Sequence, residues 1–161
     1  EGATAYQLGI GVRTHLNDHI YFQSGLRYSR QAFRYSYIDG NGNEYVSASA
    51  ENVHILSIPL QTGLMLKHQF FLSGAFLLDF DISKSKNRTI DSQTGLGIEM
   101  QFGKTLNLGR KTQLNCSPVL QIHGLLPFHP ENYHQRATMI GLRFELLQAC
   151  GFNQTKIEEN R

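Results

Sequence analysis

Three groups of side chains in this sequence are of types that could do chemistry. The first is histidine-rich: of seven histidines, His123, His129 and His134 fall close together with Glu131 between them. Zinc sites space their ligands in short fixed patterns, and this spacing matches none of them, so a solvated loop is the expectation and no metal or other cofactor is assigned. The second is a nucleophile and base, Ser117 and His123, on one strand face. Hydrolysis needs the two within hydrogen-bond reach, whereas six strand residues put them about 20 Å apart. His54 and Ser57, the other close pair, fall on opposite faces. No enzymatic activity is therefore expected. The third group is charge without an evident substrate: Arg13, Arg27, Lys67 and Arg143 against Asp79, Asp81, Glu99 and Glu145, all on one face of alternating segments. Charges removed from water must be paired to persist, so these eight are expected to form an internal network of ion pairs.

The elements that carry these residues show a period of two. Tyr6, Leu8, Ile10 and Val12 alternate with Gln7, Gly9, Gly11 and Arg13, and Ile20, Phe22, Leu26 and Tyr28 alternate with Tyr21, Gln23, Gly25 and Arg27. The pattern recurs in Leu56 to Leu66, Leu72 to Ile82, Leu96 to Phe102, Leu114 to Ile122 and Ile140 to Leu146. Strict alternation over such lengths predicts strands with one apolar face. Seven strands are predicted, and no charge lies on the apolar face of any of these segments.

The composition of the opposite face chooses between two barrels. A soluble, calycin-like barrel binding an apolar ligand turns its apolar face inward and presents long charged side chains to water. Here the polar face is mostly Gly, Ser, Gln, Asn and Ala, with glycines at 9, 11, 25, 63, 95, 97 and 141. Small residues suit a narrow, crowded lumen, and the bulky Leu, Ile and Phe are then expected to meet lipid. The fold expected is an all-β, up-and-down antiparallel transmembrane β-barrel of the outer membrane, with the soluble barrel as the rival. At 161 residues the chain is read as one domain. Mean hydropathy of −0.31 and 17% charged residues suit either barrel, because half of each membrane strand is polar. A net charge of +2 without a basic stripe excludes nucleic acid as an expected partner.

Connections alternate in length. Short turns are expected around Asn17 and Asp18, around Lys67 and His68, and over 104–111; long loops are expected over 31–53, 83–92 and 123–135. In bacterial barrels short turns face the periplasm, which orients the chain. The first long loop holds Asp39-Gly40-Asn41-Gly42, a hairpin turn signal, flanked by Phe33, Tyr35, Tyr37 and Tyr45 that should extend two strands. Parity then implies an eighth strand ahead of Glu1, together with a signal peptide upstream. The barrel domain is read as 1–147, and 148–161 as a strand end and polar tail in the periplasm. Cys116 and Cys150 are expected to lie out of register, so no disulfide is assigned. Pro59 removes a ladder donor from a central strand and predicts a bulge or local gap.

Several of these segments resemble the PorT-like outer-membrane β-barrel proteins of Gram-negative bacteria. Leu56-Ser57-Ile58-Pro59-Leu60 is similar to the family's acidic-Ile-Pro-Leu strand, and Tyr28-Ser29-Arg30-Gln31 to its Tyr-Ser strand end. Phe71 to Ala75 resembles the strand with a Ser-Gly step, and Gly95-Leu96-Gly97 the Gly-x-Gly strand. The resemblance spans nearly the whole chain, beginning at the family's second strand. Ser57 stands where the family usually has Glu. The resemblance implies a small barrel of about eight strands and supplies no catalytic residue. Expected partners are outer-membrane lipid and an envelope protein reached through the loops; a small transporter or channel is the alternative role.

Overall fold

The computed structural model describes residues 4–33, 36–38, 44–46, 51–83, 92–109, 111–128 and 136–148. Its elements are β1 (Thr4–His15), β2 (Ile20–Phe33), β3 (Ser36–Ile38), β4 (Glu44–Val46), β5 (Glu51–Met65), a 3₁₀ turn (Lys67–Gln69), β6 (Phe70–Asp81), β7 (Gly95–Asn107), β8 (Thr112–Pro127) and β9 (Thr138–Gln148). Seven long strands pair antiparallel in the order β1-β2-β5-β6-β7-β8-β9, an up-and-down sheet curled into a nearly closed barrel. The seven alternating segments are these seven strands. β3 and β4 form a separate two-stranded ribbon, with Tyr37 opposite Tyr45, between β2 and β5. The turn signal at 39–42, Tyr35 and the tail from 149 onward, with Cys150, lie outside the described residues.

Turn chemistry fixes one end of the barrel. The Asn17 side-chain oxygen accepts hydrogen bonds from the backbone N–H of His19 (2.9 Å) and Ile20 (2.7 Å), which closes the β1–β2 connection. The β5–β6 connection instead reverses through His68 and Gln69, both at positive φ (59° and 66°). The predicted turn over 104–111 is shorter than expected, because β7 continues to Asn107 in register with Gln113 of β8.

Prolines leave visible marks on the ladder. β2 and β5 keep one register from Ile20↔Leu64 to Phe33↔Glu51, yet no pairs form where Gly25 and Leu26 face Pro59 and Ile58. This is the local gap expected from a residue without an N–H. Pro118 has the same effect between β7 and β8, where pairing lapses between Gln101↔Val119 and Lys104↔Cys116. Near the long-loop end, a step of two positions along β7 (Leu96 to Ile98) is matched by a step of four along β8 (Leu126 to Ile122), and Gly124 takes up the bulge at φ +58°.

Burial follows residue parity. Odd-numbered side chains of the central strands point inward and are buried, whereas even-numbered ones such as Leu60, Leu72, Phe76, Met100 and Leu120 are exposed on the outside. The soluble reading required the reverse, with Leu60, Leu78 and Leu142 packed together inside; Leu142 is 75% exposed. Cys116 is half-buried on the outward face.

Candidate functional site

The lumen is filled by side chains arranged in three tiers. At the short-turn end Tyr21 and Phe71 are fully buried and plug the interior. Their rings fit because the facing wall residues are glycine: a Cβ on Gly63 would fall 2.1 Å from Tyr21, and one on Gly103 would fall 2.7 Å from Phe71. The alternation puts Tyr21 on the inward face, as observed, but does not show that it and Phe71 plug the interior. Their signal is the runs Ile20-Tyr21-Phe22 and Phe70-Phe71-Leu72, apolar at both parities.

The middle tier is a charge network centred on Glu99 of β7. Arg27 of β2 donates to Glu99 Oε2 at 2.7 Å, and Arg143 of β9 donates to Oε1 at 2.6 Å and Oε2 at 2.8 Å. Gln101 Nε2 adds a bond to Oε1 at 2.7 Å and Gln121 Nε2 one to Oε2. Both oxygens of this fully buried carboxylate are thus saturated. Gln61, equally buried, links the network downward: it accepts from Arg27 (3.0 Å) and Gln101 (3.3 Å) and donates to Ser73 (3.1 Å). Ser117 donates to Gln101 at 3.1 Å, so it is spent on this web. Glu145 lies 3.3 Å from Arg13 and 3.9 Å from Arg27, while Arg13 also donates to Gln23 (2.8 Å) and stacks its guanidinium 4.1 Å from the Tyr21 ring centroid.

The third tier lies toward the long-loop end, on Asp79. Ser57 donates to Asp79 Oδ1 at 2.5 Å, and His123 Nδ1 sits 2.9 Å from Oδ2, with Asp79 and the His123 side chain wholly buried. Among the described residues His123 Nε2 has no hydrogen-bond partner. His123 was expected in a loop with His129, Glu131 and His134; it belongs to β8 and faces the lumen, and the other three lie outside the described residues. The order Ser–Asp–His does not activate a nucleophile, because the serine bonds the carboxylate and not the imidazole that would have to take its proton. His54 faces outward, with Nδ1 2.6 Å from the Tyr28 hydroxyl.

Of the eight charges expected in one network, Arg13, Arg27, Glu99, Arg143 and Glu145 meet in the middle tier and Asp79 pairs with histidine instead. Asp81 accepts from the backbone N–H of Ser83 (3.0 Å) and Gln93 (3.1 Å), so it fastens the long-loop end. Lys67 does not join: it is exposed in the 3₁₀ turn, since β5 ends at Met65. Among the described residues no three His, Cys, Asp or Glu side chains are grouped to hold a metal ion. A cleft of about 390 Å³ runs between β1 and β9, bordered by Gln7, Gly11, Arg13, Arg143 and Glu145. Comparisons with protein-family models, with curated proteins and with solved structures give no match for this chain.

Proposed function

We propose that the chain is a non-enzymatic β-barrel protein of the bacterial outer membrane, with a lumen closed by its own side chains, acting as a structural or interaction component of the cell envelope through its long loops. One observation carries this reading: the outer face of the barrel is a continuous apolar belt. On the seven long strands the only outward positions with charge, among the described side chains, are Arg30 and Lys104, and each lies near a strand end. Water would penalise such a belt as exposed apolar surface far beyond the patches that soluble monomers tolerate, whereas hydrocarbon accepts it. Aromatic side chains flank it. Tyr6, Tyr28 and His54 cluster near one rim, and at the other Phe70 stacks on Phe102 at 5.7 Å with the Lys104 ammonium 5.5 Å from the Phe70 ring. Such girdles suit the interface between headgroups and acyl chains.

The resemblance to PorT-like proteins points the same way, and the network around Glu99 supports closure over conduction. Lipid is the immediate partner in this reading, and an envelope protein engaged by the loops is the second. Fractionation of the native cell envelope tests location: the protein is expected in the outer membrane and to migrate differently on gels before and after heating. Recovery in the soluble fraction without such a shift overturns the reading. Planar-bilayer recordings test closure, and a steady ion current whose selectivity changes on Arg27→Glu favours the channel alternative.

A further inference from the structure

Among the described side chains, the outer belt of the seven long strands carries one basic residue toward each end, and the two are held differently. At the short-turn end the Lys104 ammonium sits 5.5 Å from the Phe70 ring, so an aromatic face shares its charge. At the long-loop end Arg30 stands directly opposite Tyr6 of β1 on one side and His54 of β5 on the other, an outward row across three strands. Neighbouring strands lie about 4.8 Å apart, so the row spans about 10 Å. Tyr28, one outward position closer to mid-barrel, ties the row together. Its ring lies 6.4 Å from that of Tyr6 and 5.9 Å from that of His54, and its hydroxyl is 2.6 Å from His54 Nδ1.

The Arg30 guanidinium has little compensation here. Its Nε donates to the Asn52 side-chain oxygen at 3.1 Å, and among the described residues Nη1 and Nη2 have no hydrogen-bond partner. Asn52 is neutral, and no described outward side chain on the seven long strands is acidic. A planar fork of N–H groups at the edge of an apolar belt suits a bidentate oxyanion. With the Tyr28 hydroxyl donating to Nδ1, the neutral His54 ring carries its proton on Nε2 and adds a further donor. Toward mid-barrel the outward positions are Leu8, Leu26, Leu56 and Ile58, an apolar wall beneath the row.

We infer that this row is a headgroup site for a phosphate-bearing lipid of the leaflet at the long-loop end. The phosphate lies on Arg30 with His54 and the Tyr6 hydroxyl beside it, and the acyl chains run along Leu8, Leu26, Leu56 and Ile58. The inference rests on the membrane-barrel reading, which puts this rim at the boundary of hydrocarbon and headgroups. An unpaired guanidinium is costly there, and a lipid phosphate is the nearest counter-charge. A free phosphate ion fits the fork but makes no use of the wall beneath it. A zwitterionic choline headgroup brings a cation of its own to a row with no acid to receive it.

Lipid-selectivity measurements on the protein reconstituted in phosphatidylcholine vesicles test this. The sequence has no tryptophan, so Leu56→Trp or Leu8→Trp reports the lipid beside the row, and Leu120→Trp on β8 reports the lipid on another part of the wall. Quenching by phosphatidic acid with brominated acyl chains, against equally brominated phosphatidylcholine, gives the preference at each reporter. A preference for phosphatidic acid of roughly tenfold is expected at Leu56→Trp and Leu8→Trp, and none beyond about twofold at Leu120→Trp. Arg30→Gln should abolish the preference, Arg30→Lys should keep only part of it because the fork is lost, and Lys104→Gln should leave it intact. Equal preference at all three reporters, or a preference that survives Arg30→Gln, overturns the proposal. Loss of the preference in excess inorganic phosphate overturns it as well, because the ligand is then a free anion. If brominated phosphatidylcholine quenches none of the reporters, the belt is not in lipid and the membrane reading itself fails.

Discussion

Glu99 and Asp79 are two buried carboxylates on adjacent strands of one lumen, and they are compensated in different ways. Glu99 faces two arginines and two glutamine amides, so its charge and both its oxygens are matched. Asp79 faces a serine hydroxyl and one imidazole whose far nitrogen has no partner among the described residues. The difference lies in what each carboxylate holds in place. Removing Glu99 would strand Arg143 and leave Arg27 only the more distant Glu145 in a desolvated interior, whereas removing the charge of Asp79 leaves groups that are able to exist neutral. The middle tier is thus an electrostatic clamp joining β2, β7 and β9, and the upper tier is a hydrogen-bonded link joining β5, β6 and β8.

The largest expected effect follows from breaking that clamp. Glu99→Leu should destabilise the barrel by about 3–5 kcal/mol, measured by denaturant unfolding in lipid vesicles, because two guanidinium groups lose the carboxylate they bond directly. Adding Arg27→Leu and Arg143→Leu to it should recover much of the loss; failure to recover would show that the carboxylate acts through packing and not charge. A control on the outer face comes next. Leu60→Arg should cost about 2–4 kcal/mol in a bilayer if Leu60 lies near mid-membrane, and far less if the belt is not in lipid. Asp79→Asn should cost less than Glu99→Leu, about 1–3 kcal/mol in the same unfolding assay, since an amide can still accept from Ser57 and bond His123. A loss equal to that of Glu99→Leu would erase the distinction between the tiers. The smallest effect is expected for His123→Gln, about 1 kcal/mol or less, because only one ring nitrogen is engaged; a larger loss would reveal an interaction at Nε2.

Parity of the sequence alone determined which residues face in and which face out, because a strand's side chains alternate whatever it pairs with. Leu60 and Gln61 went to opposite faces on that ground, as did His54 and Ser57, and the gap at Pro59 follows from a missing N–H. Even the set of lumen charges was largely legible. Lys67 was the exception, because alternation continues in the sequence past Met65 while the chain turns at His68 and Gln69. Which charges meet was decided only by the closed sheet. Arg27 and Glu99 are 72 residues apart, and Arg143 and Glu99 44 apart, and curvature across the barrel brings them to one carboxylate. His123 likewise reads as loop by its neighbours and becomes a buried partner of Asp79 because β8 runs on to Pro127 through the bulge at Gly124. The aromatic plug has the same origin: Tyr21 and Phe71 break the polar pattern of their own face, and they fit only because Gly63 and Gly103 stand opposite them. Local period sets the face of each residue, but its partner depends on strand register and barrel curvature, which are properties of the whole sheet.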